Sequence, residues 1–176
     1  GAVVAANILL GERFPKHDLV EFAMAGEQLA SGSRHADNVA PCVYGGFVLV
    51  RSTEPLDVVE IEHPPLWATV IHPQIEVKTR ESRAILPQQV PLKDAVRNWS
   101  NLGAFVAALT SGDYDLMARS MEDFIVEPAR KSLIPNYDAI KAASLEAGAI
   151  GGGISGSGPS MFMLSDNEAT ADEVAD

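Results

Sequence analysis

The 176 residues include a single cysteine, Cys42, so the chain has no internal disulfide and fits a reducing compartment. Basic residues are in short supply: 13 Lys and Arg against 24 Asp and Glu leave a formal net charge of −11. A chain of that sign lacks the basic surface that a phosphate-backbone partner needs, so no nucleic-acid partner is expected. A small anionic ligand held by a few local arginines stays compatible with it. No apolar run reaches the ~20 residues that span a bilayer, and no membrane contact is expected. The opening GAVVAANILL has neither a basic n-region nor a cleavage site, so a cytoplasmic location is expected. No His or Cys spacing of the zinc-site kind occurs, and there is neither an internal repeat nor a low-complexity tract.

What is present is an ordinary globular composition, 47% apolar and 21% charged, with enough length for one ample core or two small ones. Hydrophobic periodicity predicts helices over 2–10 and 17–30, the second offering Leu19, Val20, Phe22, Ala23, Met24 and Leu29 to a core. Residues 46–51 and 58–62 read as strands joined through Glu54-Pro55. His63-Pro64-Pro65 then breaks the pattern and marks a domain boundary, giving expected domains 1–62 and 63–176. Beyond it come a strand over 66–71, a short helix capped by Thr79 and running to Leu86, and helices over 92–109 and 113–124. A basic, irregular connector over 127–135 carries Arg130 and Lys131, and a helix over 137–147 ends at Gly148. A glycine-rich loop, a strand over 161–164 and a last helical pattern complete the chain. Interleaved helices and antiparallel strands make the expected class α+β. Nothing caps the first helix and the last stops within two or three turns, so the chain reads as a piece of a larger protein, cut at both ends.

Two stretches concentrate chemistry. Gly32–Gly46, GSRHADNVAPCVYGG, gathers Arg34, His35, Asp37 and Asn38 between apolar runs. It fits a cleft loop entering a short helix capped by Asp37 or Ser33, against the blander reading of a capped turn with solvated charges. Gly151–Ser160, GGGISGSGPS, satisfies the dinucleotide-binding pattern G-x-G-x-x-G. The context rejects that reading, because a strand follows where a helix must open. A phosphate-binding P-loop fails too, for want of the Lys-Ser/Thr pair. What survives is a backbone able to approach a ligand closely and to offer N–H groups to an anion, favoured over a flexible hairpin connection. Glu27 sits near the C-terminal end of its helix, the unfavourable pole for a carboxylate, where a cation would relieve it. A solvated surface Glu is the simpler reading of that residue alone. His17, His63 and His72 read as structural, and Trp67 and Trp99 as core.

The segments SGSRHADNVAPCVYGG, IEVKTRESRAILP, EPARKSLIP and GAIGGGISGSGPSMF resemble, in order and spacing, those of the homoserine kinases within the GHMP small-molecule kinase superfamily. The resemblance implies a two-domain fold, with an N-terminal part like ribosomal protein S5 domain 2 and a ferredoxin-like C-terminal part. Residues 1–62 would be the remainder of the nucleotide-binding domain and 63–176 an incomplete substrate-side domain. The family's Gly-Leu-Gly-Ser-Ser-Ala phosphate loop is missing from this chain, which leaves the main nucleotide contacts unassigned. The whole kinase would be about twice this size.

The implied activity is transfer of the γ-phosphoryl of Mg-ATP to the hydroxyl of L-homoserine, a step of threonine biosynthesis. Carried over by position, Glu27 resembles the carboxylate that helps hold Mg²⁺, a hard cation that takes oxygen ligands. Asn38 resembles the residue beside the transferring phosphoryl and the acceptor hydroxyl, and His35 and Asp37 belong to the same substrate-facing motif. Thr79 and Arg83, four apart on one helical face, resemble substrate contacts. Arg130 resembles a further anchor, and Gly156 would approach the substrate. An amino-acid carboxylate suits arginine's planar fork, which independently favours Arg83 and Arg130, with Arg34 a weaker candidate. The implied partners are homoserine and ATP, and the family implies a homodimer. Alternative readings are a mevalonate-type alcohol as acceptor, or a non-catalytic binding module on the same fold. A nicotinamide-dependent dehydrogenase is the weakest alternative.

Overall fold

The computed structural model describes residues 1–32 and 34–176, with the side chains of Ala30, Ser31 and Thr79 outside the description. The chain divides into two compact units, residues 1–63 and 64–176.

In the first unit, α1 (Ala2–Leu9), α2 (Lys16–Ser31) and α3 (Val39–Tyr44) precede an antiparallel hairpin of β1 (Phe47–Thr53) and β2 (Leu56–Ile61). The hairpin turns at Glu54-Pro55, with a register shift between Val50 and Ser52. Gly32, in the left-handed conformation at φ +80°, ends α2 by donating its N–H to the Gln28 carbonyl at 3.0 Å. Val20, Met24, Ala36, Ala40 and Leu56 form the core, with valines of both strands packed on it. Phe22 and Leu29 stay outside it and are exposed.

The second unit is built on a three-stranded antiparallel sheet in the order β3-β5-β4, from β3 (Trp67–Ile71), β4 (Gly151–Ile154) and β5 (Met161–Ser165). Around it lie α4 (Thr79–Ala84), α5 (Leu92–Ser111), α6 (Tyr114–Ser120), α7 (Val126–Arg130), α8 (Tyr137–Glu146) and α9 (Glu168–Ala175). Met161 and Met163 of the central strand lie two apart and so share one face of the sheet. Met161 packs with Ile134 and Tyr137, and Met163 with Ala149 and Val174. Full burial of such a side chain stabilises by roughly 1.5–3 kcal/mol. Thr69 of β3 donates its hydroxyl to the Ala171 carbonyl at 2.9 Å, holding α9 against the sheet. All strand pairs are antiparallel, so the α+β class stands.

Four local expectations change. The helix expected over 113–124 ends at Ser120, because the Asp123 carboxylate collects the N–H groups of Ile125, Val126 and Glu127 at 2.8–3.0 Å and starts α7 instead. The connector expected to be irregular is therefore helical, as α7 followed by a 3₁₀ turn over Lys131–Leu133. Thr79 is the first residue of α4, and the capping position belongs to Lys78, which makes no side-chain cap. Trp99 lies on the outer side of α5 and is 63% exposed, not core.

Candidate active site

In the first unit, α2 and α3 position the polar stretch. Ala36 and Ala40 are buried, and these small residues pin the loop and the start of α3 to the core formed by Val20 and Met24. Arg34 turns toward α2 and pairs with Glu21. Its Nε is buried without an acceptor among the described residues. The Asp37 carboxylate accepts the N–H of its neighbour Asn38 at 3.2 Å. Asn38, and not Asp37, occupies the capping position of α3, yet its side chain makes no capping bond. Asn38 is exposed and His35 half-buried. The alternative cap, Ser33, lies outside the described residues. Glu27 is half-buried in the C-terminal half of α2.

In the second unit, α4, α7 and the β4–β5 hairpin meet. Arg130, at the end of α7, donates from Nε to the Ser82 carbonyl at 3.2 Å and from Nη1 to the Gly156 carbonyl at 2.9 Å. Two of the guanidinium's five N–H donors are thus committed to backbone, which sets the plane of the fork. Arg83 follows Ser82 on α4 and is exposed. Thr79 opens the same helix, and its side chain lies outside the described residues. The structure therefore brings Arg130, Gly156 and α4 together.

The dense glycines have a different purpose from the one expected of them. Gly151, Gly152 and Gly153 are buried in strand β4, not in a loop. A Cβ on Gly152 would stand 2.0 Å from the Phe162 carbonyl oxygen and 2.4 Å from Met163 Sδ. On Gly151 it would press on Met121 Sδ at 3.0 Å. These glycines admit neighbouring groups of the protein itself. Gly156 alone keeps the ligand-facing reading open: it sits in the hairpin at φ +59° with nothing within 4 Å of the Cβ it lacks.

Beside this cluster lies a cavity of about 310 Å³ with Leu102, Phe105, Val126 and Phe162 among its lining. Several polar groups at its rim are paired within the protein. The Asn98 amide donates to Asp123 at 2.8 Å, and Lys141 Nζ donates to both Glu127 oxygens at 2.7 and 2.9 Å. Burial raises the Asp123 pKa, but the Asn98 amide and three backbone N–H groups outweigh it and hold the carboxyl below its ordinary range. Burial pushes the Tyr137 hydroxyl well above the usual phenol range, with the Glu127 carboxylate adding to the shift. The hydroxyl is buried without a hydrogen-bond partner of normal geometry among the described residues.

Of the histidines read as structural, His63 and His72 each meet a neighbouring residue. His72 Nδ1 lies 2.8 Å from Ser160 Oγ, and the His63 ring meets Phe47 edge-on at 5.1 Å. Ser82 was missed in the sequence. Its only signal there was its place between Thr79 and Arg83.

The family profile described as GHMP kinases C terminal matches residues 105–176. Over 175 residues the chain is 50% identical to the homoserine kinase of Chloroherpeton thalassium, a match covering 99% of this chain and 55% of that protein. The crystal structure of homoserine kinase from Cytophaga hutchinsonii superposes with a TM-score of 0.93 at 56% identity, covering 98% of this chain and 55% of the other. L. major mevalonate kinase shares the fold, with a TM-score of 0.74 at 18% identity over 97% of this chain and 56% of the other. The chain spans about half the length of the curated relatives it matches.

Proposed function

We propose that the chain, whose residues 105–176 match the GHMP kinases C terminal profile, belongs to that kinase family and that the full-length protein is a homoserine kinase. It transfers the γ-phosphoryl group of ATP to the side-chain hydroxyl of L-homoserine, giving O-phospho-L-homoserine for threonine biosynthesis in the cytoplasm. The observation that carries this reading is the unbroken likeness, along nearly the whole chain, to proteins bearing that name.

Residues 1–62 act on the nucleotide side and residues 63–176 on the acceptor side. In the transfer, the acceptor hydroxyl oxygen forms a bond to the γ-phosphorus while the bond to the β-phosphate bridging oxygen breaks, and ADP leaves. Such a step relies on positioning and charge neutralisation more than on covalent work by the protein. Asn38, exposed and free of capping duty, orients the hydroxyl. Its amide does not accept a proton at neutral pH, so the proton passes to phosphate or water. His35 and Asp37 shape the same motif, Asp37 by holding the Asn38 backbone.

On the acceptor side, Arg130 offers its remaining donors to the homoserine carboxylate, with Arg83 and Thr79 on α4 and the open face of Gly156 completing the contacts. Among the described residues no three acidic, His or Cys side chains gather as a metal cluster. Glu27 would join a Mg²⁺ ion already carried by phosphate and water oxygens, the usual mode for that ion. Mg²⁺ bound there would supply neutralisation of the phosphate charge. The family also supports a homodimer.

The test is ADP release by the full-length protein with Mg-ATP and homoserine, mevalonate, galactose or no acceptor. Turnover with homoserine alone is expected. Equal rates across the panel, despite demonstrable ATP binding, overturn the assignment.

A further inference from the structure

Helical serines in this unit usually turn back on their own helix, the common habit of that side chain. Ser120 donates to the Leu116 carbonyl at 2.6 Å and Ser144 to the Ile140 carbonyl at 2.9 Å. Ser82 does not. It is fully buried, and its Oγ donates to the carbonyl of Ser157, 75 residues on, at 2.8 Å. The backbone carbonyl of the same residue receives the Arg130 Nε, while Arg130 Nη1 takes the carbonyl of Gly156. Two successive carbonyls of the hairpin are thus gripped from α4 and α7, one by each side chain.

The grip has a directional consequence. The Gly156–Ser157 peptide is not among the cis bonds, so its N–H points opposite to its C=O. Turning the Gly156 carbonyl toward Arg130 therefore turns the Ser157 N–H away from it. That N–H has no acceptor among the described residues, whereas the Ser155 and Gly158 N–H groups are spent within the hairpin, on Ser160 at 2.8 Å and Ser155 at 3.0 Å.

We propose that Ser82 is a positioning residue which, with Arg130, clamps the 155–160 hairpin as a rigid wall of the acceptor pocket and presents the Ser157 N–H to an anionic group of the acceptor. The assignment of the pocket rests on the kinase reading above. The clamp itself rests on the hydrogen bonds alone.

The experiment is Ser82→Ala in the full-length protein, read by amide hydrogen exchange and by steady-state kinetics. Loss of the hydroxyl leaves a half-buried carbonyl unpaired, so exchange at Ser155 and Gly158 is expected to rise about tenfold while the amides of β5 keep their protection. The KM for homoserine is expected to rise about tenfold, with the ATP KM and kcat within about twofold. Unchanged hairpin exchange overturns the clamp. A uniform rise across residues 64–176 also overturns it, since a merely structural serine acts that way. A loosened hairpin with an unchanged homoserine KM overturns the hairpin's place in the pocket. Failure of the kinase reading shows separately, as no homoserine turnover by the unsubstituted protein. If Ser82→Ala does not fold, Ser82→Thr and Ser82→Val, alike in shape and differing in the hydroxyl, give the same comparison, with Thr expected to retain what Val loses.

Discussion

Arg130 both braces and binds in the proposed site, and its truncation tests the two duties together. Arg130→Ala removes charge-assisted donors, and a loss of about a hundredfold in kcat/KM for homoserine is expected from ADP-release kinetics. Arg130→Lys keeps the charge but not the fork, so it is expected to recover only a small part of that loss. Asp123 is a purely architectural counterpart. Its folded pKa lies below the ordinary 3.8, so its contribution to stability is present above that value and is lost as pH falls through the lower folded value. Asp123→Ala is expected to cost about 1–3 kcal/mol at pH 7, measured by urea denaturation, and to cost less once the pH falls below the folded pKa. Equal costs at both pH values would contradict the carboxylate's role.

At the scale of elements, two glycines in one hairpin answer to different constraints. Gly152→Ala sets a methyl against backbone and Met163 in the middle of the sheet, and a destabilisation of about 3 kcal/mol is expected from thermal or urea unfolding. Gly156→Ala meets open space but a left-handed backbone, so about 1–2 kcal/mol is expected, with a larger effect on homoserine KM than Gly152→Ala leaves in its folded fraction. The tract's composition announced glycine's backbone freedom but not which neighbour needed it, because the atoms that would collide with Gly152 come from β5, across the hairpin. Hydrophobic periodicity made most of α2, α5, α8 and the β1–β2 hairpin legible. It failed at α7, whose start is specified by Asp123 gathering backbone N–H groups, a local bond pattern with no apolar period. In the proposed site, Arg130 and Gly156 stood out by motif, and a hydrogen bond joins them. Ser82 was not, since a serine bonding across 75 residues looks in sequence like any other helical serine.

Across the whole molecule, the acidic balance and the two separately cored units are the governing facts. The net charge of −11 keeps a single-site anion such as an amino-acid carboxylate dependent on arginines already aimed by hydrogen bonds. The two tryptophans, Trp67 and Trp99, both belong to residues 64–176, and Trp99 stands largely in solvent. Indole emission is accordingly blind to the first unit, which carries the Asn38 motif. A fluorescence melt of this 176-residue chain is expected to follow residues 64–176, and a circular-dichroism melt both units. Any gap between the two curves would measure how far the unit bearing Asn38 can unravel while the optical signal still reads native.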